Sequence, residues 1–469
     1  MLLRYFYDNK LAHASYLVGC QATGEALVVD PDRDVEIYLK TAKAEGLRIA
    51  GVTETHIHAD FVSGARELAE RGARLFLSDA GDENWKYSYE QNYEHQLLKD
   101  GDIFKVGNIK FEVMHTPGHT PEHLSFVLTN TAGADRPMGI FSGDFVFVGD
   151  VGRPDLLEKA VGVSGAAAAG ARQMFKSLQR FKSLPDYLQV WPAHGAGSAC
   201  GKALGAIPSS TVGYEKMFNW AMQLTDEQKF VAALLDGQPE PPKYFAMMKK
   251  INGEGPKLLQ EVRKPEPLSF DKLNLLIKNG ATIVDTRPSD AFANGHVQGT
   301  INIPYNNAFI NWAGWLIDFV KPFYLISSIS KIENILRDLN AIGLDNVGGF
   351  FDQESMKTAF SKQDLQTYAL ITPQQAAREI SSGKATIIDV RNHGEWEAGH
   401  ISGAMHLMLG YLVDRLSEIP KDRQIIVQCQ SGSRSAIAAS ILKAGGIERV
   451  ANLLGGINAW KNDDLPVVQ

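Results

Sequence analysis

Thr55-His56-Ile57-His58-Ala59-Asp60 follows directly on the apolar run Ile49-Ala50-Gly51-Val52-Thr53, so two imidazoles and a carboxylate crowd the point where a strand ends. Desolvating such groups side by side is costly unless a cation neutralises them. Three more polar clusters echo the first: Thr116-Pro117-Gly118-His119-Thr120, Phe141-Ser142-Gly143-Asp144 and Pro192-Ala193-His194-Gly195, each following or closing an apolar run. Strand-like alternation also opens the chain at Ala26-Leu27-Val28-Val29-Asp30-Pro31. The first 240 or so residues therefore predict a metal-binding α/β domain. His13, His95, His115 and His123, taken singly, are equally well explained as satisfied core or surface histidines.

A second chemical motif stands near the other end. Cys429-Gln430-Ser431-Gly432-Ser433-Arg434-Ser435 follows the apolar run Ile425-Ile426-Val427 and offers a thiol at the mouth of a loop leading to an arginine. Loop N–H groups and the start of a following helix, expected from Ala436, favour a thiolate and hence a nucleophile.

Ala281-Thr282-Ile283-Val284-Asp285-Thr286-Arg287 recurs as Ala385-Thr386-Ile387-Ile388-Asp389-Val390-Arg391, and Gly295-His296-Val297-Gln298-Gly299 as Gly399-His400-Ile401-Ser402-Gly403, both 104 positions on. One small parallel-sheet α/β fold thus occurs twice, with a helix predicted over Pro373 to Ser381 in the second copy. Ligands of such sheets sit at the carboxyl ends of strands, where Cys429 falls. The same offset puts Leu325 opposite Cys429, so the first copy keeps the frame without the nucleophile and is expected to brace the two catalytic ends or shape a channel between them. The proline clusters between Pro239 and Leu268 read as a connector. The predicted domains are 1–240, a connector over 241–268, a repeat over 269–360 without the cysteine, and its catalytic partner over 370–469.

A chain of 469 residues is too long for one core. Its net charge of −7, from 47 basic and 54 acidic residues without a basic block, argues against nucleic acid as a partner. Three cysteines, at 20, 200 and 429, make no disulfide framework, and Met1-Leu2-Leu3-Arg4 does not open an export signal, so a cytoplasmic location is expected. The longest apolar candidate, Ala160 to Ala171, is broken by glycines and too short for a bilayer, so no membrane association is expected. A homo-oligomer is the expected state for an enzyme of this size.

The histidine and aspartate clusters, with their strands, resemble the metallo-β-lactamase fold, an αββα sandwich with metals on one edge of the paired sheets. One position departs from the two-metal hydrolases of that superfamily: Phe61 stands where they carry a histidine after the first motif's aspartate. What remains suits one metal, with His56, His119 and Asp144 giving two nitrogens and one oxygen. That is the composition of the facial triad of non-haem Fe(II), whereas zinc on the same groups would activate water for hydrolysis.

The resemblance narrows at Gly118-His119-Thr120-Pro121-Glu122-His123, Gly149-Asp150-Val151-Gly152-Arg153-Pro154-Asp155 and Pro192-Ala193-His194-Gly195-Ala196-Gly197-Ser198-Ala199-Cys200-Gly201, which look like persulfide dioxygenases fused to rhodaneses. It implies one Fe(II) per chain on His56, His119 and Asp144, with His58, Asp60 and His194 around the site in supporting or substrate-orienting roles. It also implies a functional Cys200 that relays sulfur or grips the persulfide. Arg153 is left between a substrate carboxylate and Asp155.

Residues 270–360 and 370–469 resemble rhodanese domains. Cys429 to Ser435 matches the persulfide-carrying loop, with Asp389, Arg391, Glu397 and His400 at supporting positions and Gly455-Gly456-Ile457-Asn458-Ala459-Trp460 as the closing turn. The short span from Cys429 to Arg434 suits a sulfur atom rather than the phosphate of related cysteine phosphatases. The resemblance implies that O₂ oxidises a persulfide of glutathione, coenzyme A, cysteine or bacillithiol to sulfite, and that sulfite takes sulfur from Cys429 to give thiosulfate, with Arg434 holding the anion. The alternatives are a zinc-dependent glyoxalase-type thioester hydrolase with attached sulfurtransferase domains, and a non-enzymatic sulfur carrier or scaffold.

Overall fold

The structure, a computed structural model, describes residues 1–156, 158, 165–202 and 204–469. Contacts divide it into two units, Met1–Glu261 with Asn340–Gly343, and Val262–Leu339 with Leu344–Gln469. The apolar stretch from Ala160 to Ala171 lies partly outside the described residues, and its far end opens the helix Ala166–Lys182. Among the described residues no helix is long and apolar enough to cross a membrane.

The first unit stacks two sheets. Strands β1 (Leu2–Asp8), β2 (His13–Cys20), β3 (Glu25–Val29), β4 (Arg48–Thr53), β5 (Arg74–Ser78) and β6 (His95–Leu98) pair in chain order, antiparallel as far as β3 and parallel from there. The second sheet runs β12 (Ser210–Thr211), β11 (Gln189–Pro192), β10 (Gly139–Gly143), β9 (Leu124–Asn130), β8 (Ile109–His115) and β7 (Ile103–Val106).

Alternation along each strand explains the layers, since successive side chains point to opposite faces. Tyr16, Val18, Leu27 and Val29 meet Phe111, Phe126, Phe141 and Trp191 between the sheets. Leu17, Ala26, Val28 and Val52 pack outward with Tyr38, Ala42 and Leu68 from the helices Glu36–Ala44 and Ala65–Glu70. On the other side Ile140 and Val190 meet Met174, Leu178 and Phe181, which lie at helical spacing on Ala166–Lys182. Both faces of each sheet are covered, which is why these strands read as nearly continuous apolar runs. The αββα order matches the expected architecture.

The segment expected as a connector has a role of its own. It carries the helix Phe245–Glu254, and buried Asn252 uses its whole amide: Nδ2 donates to the carbonyls of His58 (2.8 Å) and Phe61 (2.7 Å), and Oδ1 accepts from the Ser63 N–H (2.9 Å). The loop carrying His56 to Asp60 is thereby pinned from a residue nearly two hundred positions away in sequence.

The second unit holds two parallel sheets. The first is ordered β14 (Ile301–Asn302), β13 (Thr282–Asp285), β15 (Phe323–Ser327), β16 (Val347–Asp352); the second β17 (Ala369–Ile371), β21 (Val450–Leu453), β20 (Gln424–Gln428), β18 (Ala385–Asp389), β19 (Met405–His406). The helix expected over Pro373–Ser381 is present and opens on a Thr372/Gln375 capping box. Register corrects one expectation. Asp285 pairs with Ile326 in the first copy and Asp389 with Gln428 in the second, so the residue opposite Cys429 is Ser327 and not Leu325. Two residues fewer separate the strands of the second copy, which the constant offset of 104 conceals.

The copies share a core: Phe292 and Ala293 of the first pack with Ile388, Val427, Ile437 and Ile441 of the second. The Asn302 N–H donates to Ser440 Oγ (2.8 Å) on the helix Ser433–Ala444, which starts three residues before the expected Ala436.

Replacing Asn252 by alanine strands two buried carbonyls and an N–H, and should cost the first unit about 3 kcal/mol. In differential scanning calorimetry that appears as a midpoint lowered by about 6–12 °C.

Candidate metal centre and cysteine loop

The histidine and aspartate clusters converge at the ends of β4, β10 and β11, with His119 on the loop from β8 to β9. His56, His119 and Asp144 form one group whose ligand atoms all lie within 4.8 Å of one another, and Asp60, His194 and Cys200 form another. Asp144 stands between them. Its Oδ2 is 3.9 Å from His56 Nε2 and 3.4 Å from His119 Nε2, and its Oδ1 is 3.4 Å from His194 Nε2, which lies 3.2 Å from Asp60 Oδ2.

Each imidazole is held through its other nitrogen. His119 Nδ1 donates to the Arg153 carbonyl (3.0 Å) and His194 Nδ1 to that of Ala12 (2.9 Å), so both present Nε2 to the centre. Thr55 Oγ1 donates to Asp30 Oδ2 (3.0 Å) and so accepts from His56 Nδ1 (3.0 Å). These contacts fix tautomer and aim, as outer partners of metal-binding histidines do. The inward atoms are His56 Nε2, His194 Nε2 and both oxygens of Asp144 and of Asp60, all buried with no hydrogen-bond partner. Buried carboxylates without donors cost several kcal/mol each unless paired or metal-bound. The donor set therefore fits a divalent cation, of which iron(II) and zinc(II) both accept nitrogen and carboxylate ligands.

Burial, and then the neighbouring imidazoles, hold His56 well below the ordinary histidine range; burial also lowers His119. Both are thereby kept neutral, the form that binds metal. For His194 burial works against protonation, but Asp144 and Asp60 outweigh it and raise its pKa.

Other predicted residues take different places. His58 spends Nε2 on Asp30 Oδ1 (3.2 Å) and leaves its buried Nδ1 without a hydrogen-bond partner, its ring 4.3 Å from that of His56; burial alone would depress its pKa, but Asp30 raises it to about 9. Phe61 is fully buried, its ring 4.0 Å from that of His13 and 4.4 Å from that of His58, an apolar wall in place of a ligand. Arg153 chooses Asp155, with Nε at 2.8 Å and Nη2 at 2.6 Å, and is fully buried. Its Nη1 donates to the Ala199 carbonyl (3.2 Å) and its N–H to that of Cys200 (3.2 Å), so it anchors the loop carrying the thiol. Burial, with Asp60 and Asp144 nearby, pushes the Cys200 thiol pKa up.

Sequence reasoning passed over Asp30, which orders Thr55 and His58, although Asp-Pro at a strand end was a visible signal. His123 was left open; its Nε2 accepts the Asp144 N–H (3.1 Å) and its ring leans on Thr116 Oγ1 (2.8 Å), so it seats the carboxylate. Gly143 sits at φ +54°, and a Cβ there would come within 2.5 Å of Thr55 Oγ1 and 2.6 Å of His123 Nε2. A cleft of about 980 Å³ is lined by Ile57 and Gly118, next in the chain to His56 and His119, and by Lys86, Lys249 and Lys250.

In the second unit, Cys429 lies on the floor of its loop rather than at the mouth. The Gly432 N–H (3.2 Å) and Ser435 Oγ (3.4 Å) donate to its sulfur. Gly432 has φ +95°, which turns its amide inward; its counterpart in the first copy is Ser330, and there the chain runs as a 3₁₀ turn over Ile329–Lys331. The closing turn is tied on by hydrogen bonds from Ile457 N to Cys429 O (2.8 Å) and from Asn458 N to Gln430 O (3.2 Å). Ser431 and Ser433 lie exposed near each other, 3.5 Å between their hydroxyls.

Arg434 is held by Glu395 through two 2.6 Å contacts, a partner the sequence reading missed. Glu397, expected at a supporting position, pairs with His393 at the surface, and His400 stacks on Trp396. Arg391 grips Asp389 (Nη2 to Oδ2 2.6 Å) and the Gly399 carbonyl (2.9 Å). Arg287 repeats this with Asp285 (2.6 Å) and Gly295 (2.9 Å) in the copy without a thiol. A device present in both copies holds the fold rather than the sulfur.

A model of the metallo-beta-lactamase superfamily matches residues 8–194, and one of the rhodanese-like domain matches 269–341 and 372–463. A crystal structure of a metallo-beta-lactamase from Staphylococcus aureus subsp. aureus COL is 45% identical, covers 75% of this chain and 99% of its own, and superposes with TM-score 0.68. The chain belongs to the metallo-β-lactamase superfamily. Its superfamily domain is followed by two rhodanese-like domains. Among curated proteins it is similar to a beta-lactamase hydrolase-like protein of Xylella fastidiosa (strain 9a5c), 29% identical over 48% of this chain and 54% of that protein. It is also similar to a hydroxyacylglutathione hydrolase of a Polaromonas species, 32% identical over 41% of this chain. The match spans 65% of the length of that hydrolase.

Asp144→Ala should reduce bound metal per chain at least ten-fold in elemental analysis of the purified protein, with the circular dichroism spectrum retained. Unchanged metal content would remove Asp144 from the ligand set.

Proposed function

We propose that the chain oxidises low-molecular-weight persulfides to sulfite at a single iron(II) and converts sulfite to thiosulfate at Cys429. The observation that carries this reading is a two-imidazole, one-carboxylate cluster, His56, His119 and Asp144, walled by Phe61 and joined in one chain to a sulfur-carrying loop. Iron(II) held there supplies the redox chemistry that O₂ requires and that d¹⁰ zinc does not. The overall change is RSSH + O₂ + H₂O → RSH + SO₃²⁻ + 2H⁺.

The protein's share is positioning. The Asp30–Thr55 chain and the Arg153 carbonyl aim His56 and His119, His123 seats Asp144, and Phe61 keeps water from the flank. The cleft beside Ile57 and Gly118 accommodates the thiol carrier, and its lysines suit the anionic groups of glutathione, coenzyme A or bacillithiol.

At the second centre Cys429–SH takes the outer sulfur of RSSH, giving Cys429–SSH and RSH; sulfite then removes that sulfur, giving thiosulfate and restoring the thiol. The Gly432 amide and Ser435 hydroxyl stabilise charge on the cysteine sulfur in both steps. Arg434, clamped by Glu395, stands at the loop's edge for the incoming anion.

A zinc-dependent thioester hydrolase on the same ligands is the second reading, favoured by the names of curated relatives as hydroxyacylglutathione hydrolases. Oxygen uptake separates the two. Iron-loaded protein given glutathione or coenzyme A persulfide should consume O₂ in proportion to its iron; zinc content with thioester hydrolysis and no uptake would favour the hydrolase. Cys429→Ser should leave O₂ uptake within about two-fold of the parent protein and shift product from thiosulfate to sulfite, while loss of uptake with the fold intact would overturn the two-centre scheme.

A further inference from the structure

We infer that the thiol-free copy of the second unit seats the carrier of the persulfide that charges Cys429, and that this carrier is an amino-acid or short-peptide thiol with a free carboxylate. The inference rests on the sulfur transfer proposed above and assigns its donor. A pocket of about 260 Å³ opens where the loops after β13, β14 and β15 meet the helix Ser433–Ala444. Parallel sheets take ligands at the carboxyl ends of their strands, so the first copy keeps a place for one although its β15 ends in Ser327. Cys429 is not among the lining residues, and a molecule seated there leaves the sulfur open.

The lining has two characters. Tyr305 and Trp312 supply apolar wall, the Tyr305 hydroxyl being spent on Asp338 Oδ2 (2.8 Å). Lys331, Asn306, Ser289 and Arg434 supply the donors. Asn306 Oδ1 accepts the Ala308 N–H (2.9 Å), which leaves its amino group for a ligand. Lys331 decides the charge. Glu395 balances Arg434 through two 2.6 Å contacts, whereas the exposed Lys331 ammonium has no acidic partner among the described residues. One unbalanced ammonium amid neutral donors suits a carboxylate.

Size narrows the carrier. The pocket holds an amino-acid or short-peptide thiol and is too small for a nucleotide-bearing one, for which the cleft of about 980 Å³ in the first unit has room. The start of one helix joins seat and sulfur: Ser433 and Arg434 line the pocket, and Ser435 Oγ donates to the Cys429 sulfur (3.4 Å). The Cys429 thiolate attacks the outer sulfur of RSSH, the new Cys429 S–S bond forms as the RS–S bond breaks, and the departing RS⁻ takes up the proton the thiol had lost. Lys331 touches none of these atoms. It is a positioning residue that acts through the carrier.

The test is sulfur transfer to Cys429 in full-length protein without O₂, read from the mass of the Cys429 peptide after rapid quenching. Glutathione persulfide, coenzyme A persulfide and carrier-free hydrogen disulfide serve as donors. Lys331→Met should raise the half-saturating concentration of glutathione persulfide about ten-fold, with the saturating rate and the hydrogen disulfide reaction within about two-fold of the parent; Lys331→Arg should restore most of the loss. Asn306→Trp, which fills the pocket, should impair glutathione persulfide in the same way. Coenzyme A persulfide should transfer about ten-fold less efficiently than glutathione persulfide in the parent protein. An unchanged concentration dependence in Lys331→Met, an equal loss with hydrogen disulfide, or equal efficiency of the two carriers overturns the inference and leaves sulfur transfer standing. A Cys429 that takes sulfur from no donor overturns the transfer itself, and the inference falls with it.

Discussion

Buried carboxylates without donors set the terms for the first unit. Asp144 and Asp60 are taken out of water with no hydrogen bond to their oxygens and only imidazole nitrogens beside them, in a domain whose strands are otherwise apolar on both faces. A fold tolerates this only where positive charge is delivered, and the surrounding residues are arranged for delivery rather than for mutual satisfaction. Histidines spend one nitrogen on a backbone carbonyl or Thr55 and keep the other for the centre. Asp30, Glu122, His123 and Asn252 then fix the loops that carry them, Glu122 by accepting the Ile57 N–H (2.8 Å). Removing any one of these supports would disturb geometry at a distance from the ligands themselves.

Much of this was legible because chemistry and chain position coincide. His56, His119, Asp144 and His194 each close or follow a strand, so apolar runs flagged them and the fold brought them together. The supports were harder to see. Asn252 lies in a proline-flanked stretch that reads as a linker, and its amide has value only because three backbone groups of a remote loop need partners. Glu395 was not singled out because only the helix His393–Glu397, which turns it toward Arg434 while Glu397 faces away, shows that the two meet. Leu325 was chosen over Ser327 because a fixed repeat offset ignores a two-residue difference in a loop, whereas strand pairing counts only hydrogen bonds.

The second unit separates what a fold requires from what a reaction requires. Its copies share the Asp–Arg clamp on a glycine carbonyl, the parallel sheet order and a common core. They differ where the thiol sits. One has sulfur facing an inward amide, and the other has a hydroxyl at the end of a strand that leads straight into a helical turn.

Gly432 makes that difference hard to reverse. A cysteine installed at Ser327 alone would meet a chain path in which Ser330 resists positive φ, so no amide would turn toward the sulfur. A glycine at Ser330 alone would loosen the turn with no thiol to serve. Neither single step alone reproduces the second copy's thiol facing an inward amide, so the first copy stands two changes away from that geometry.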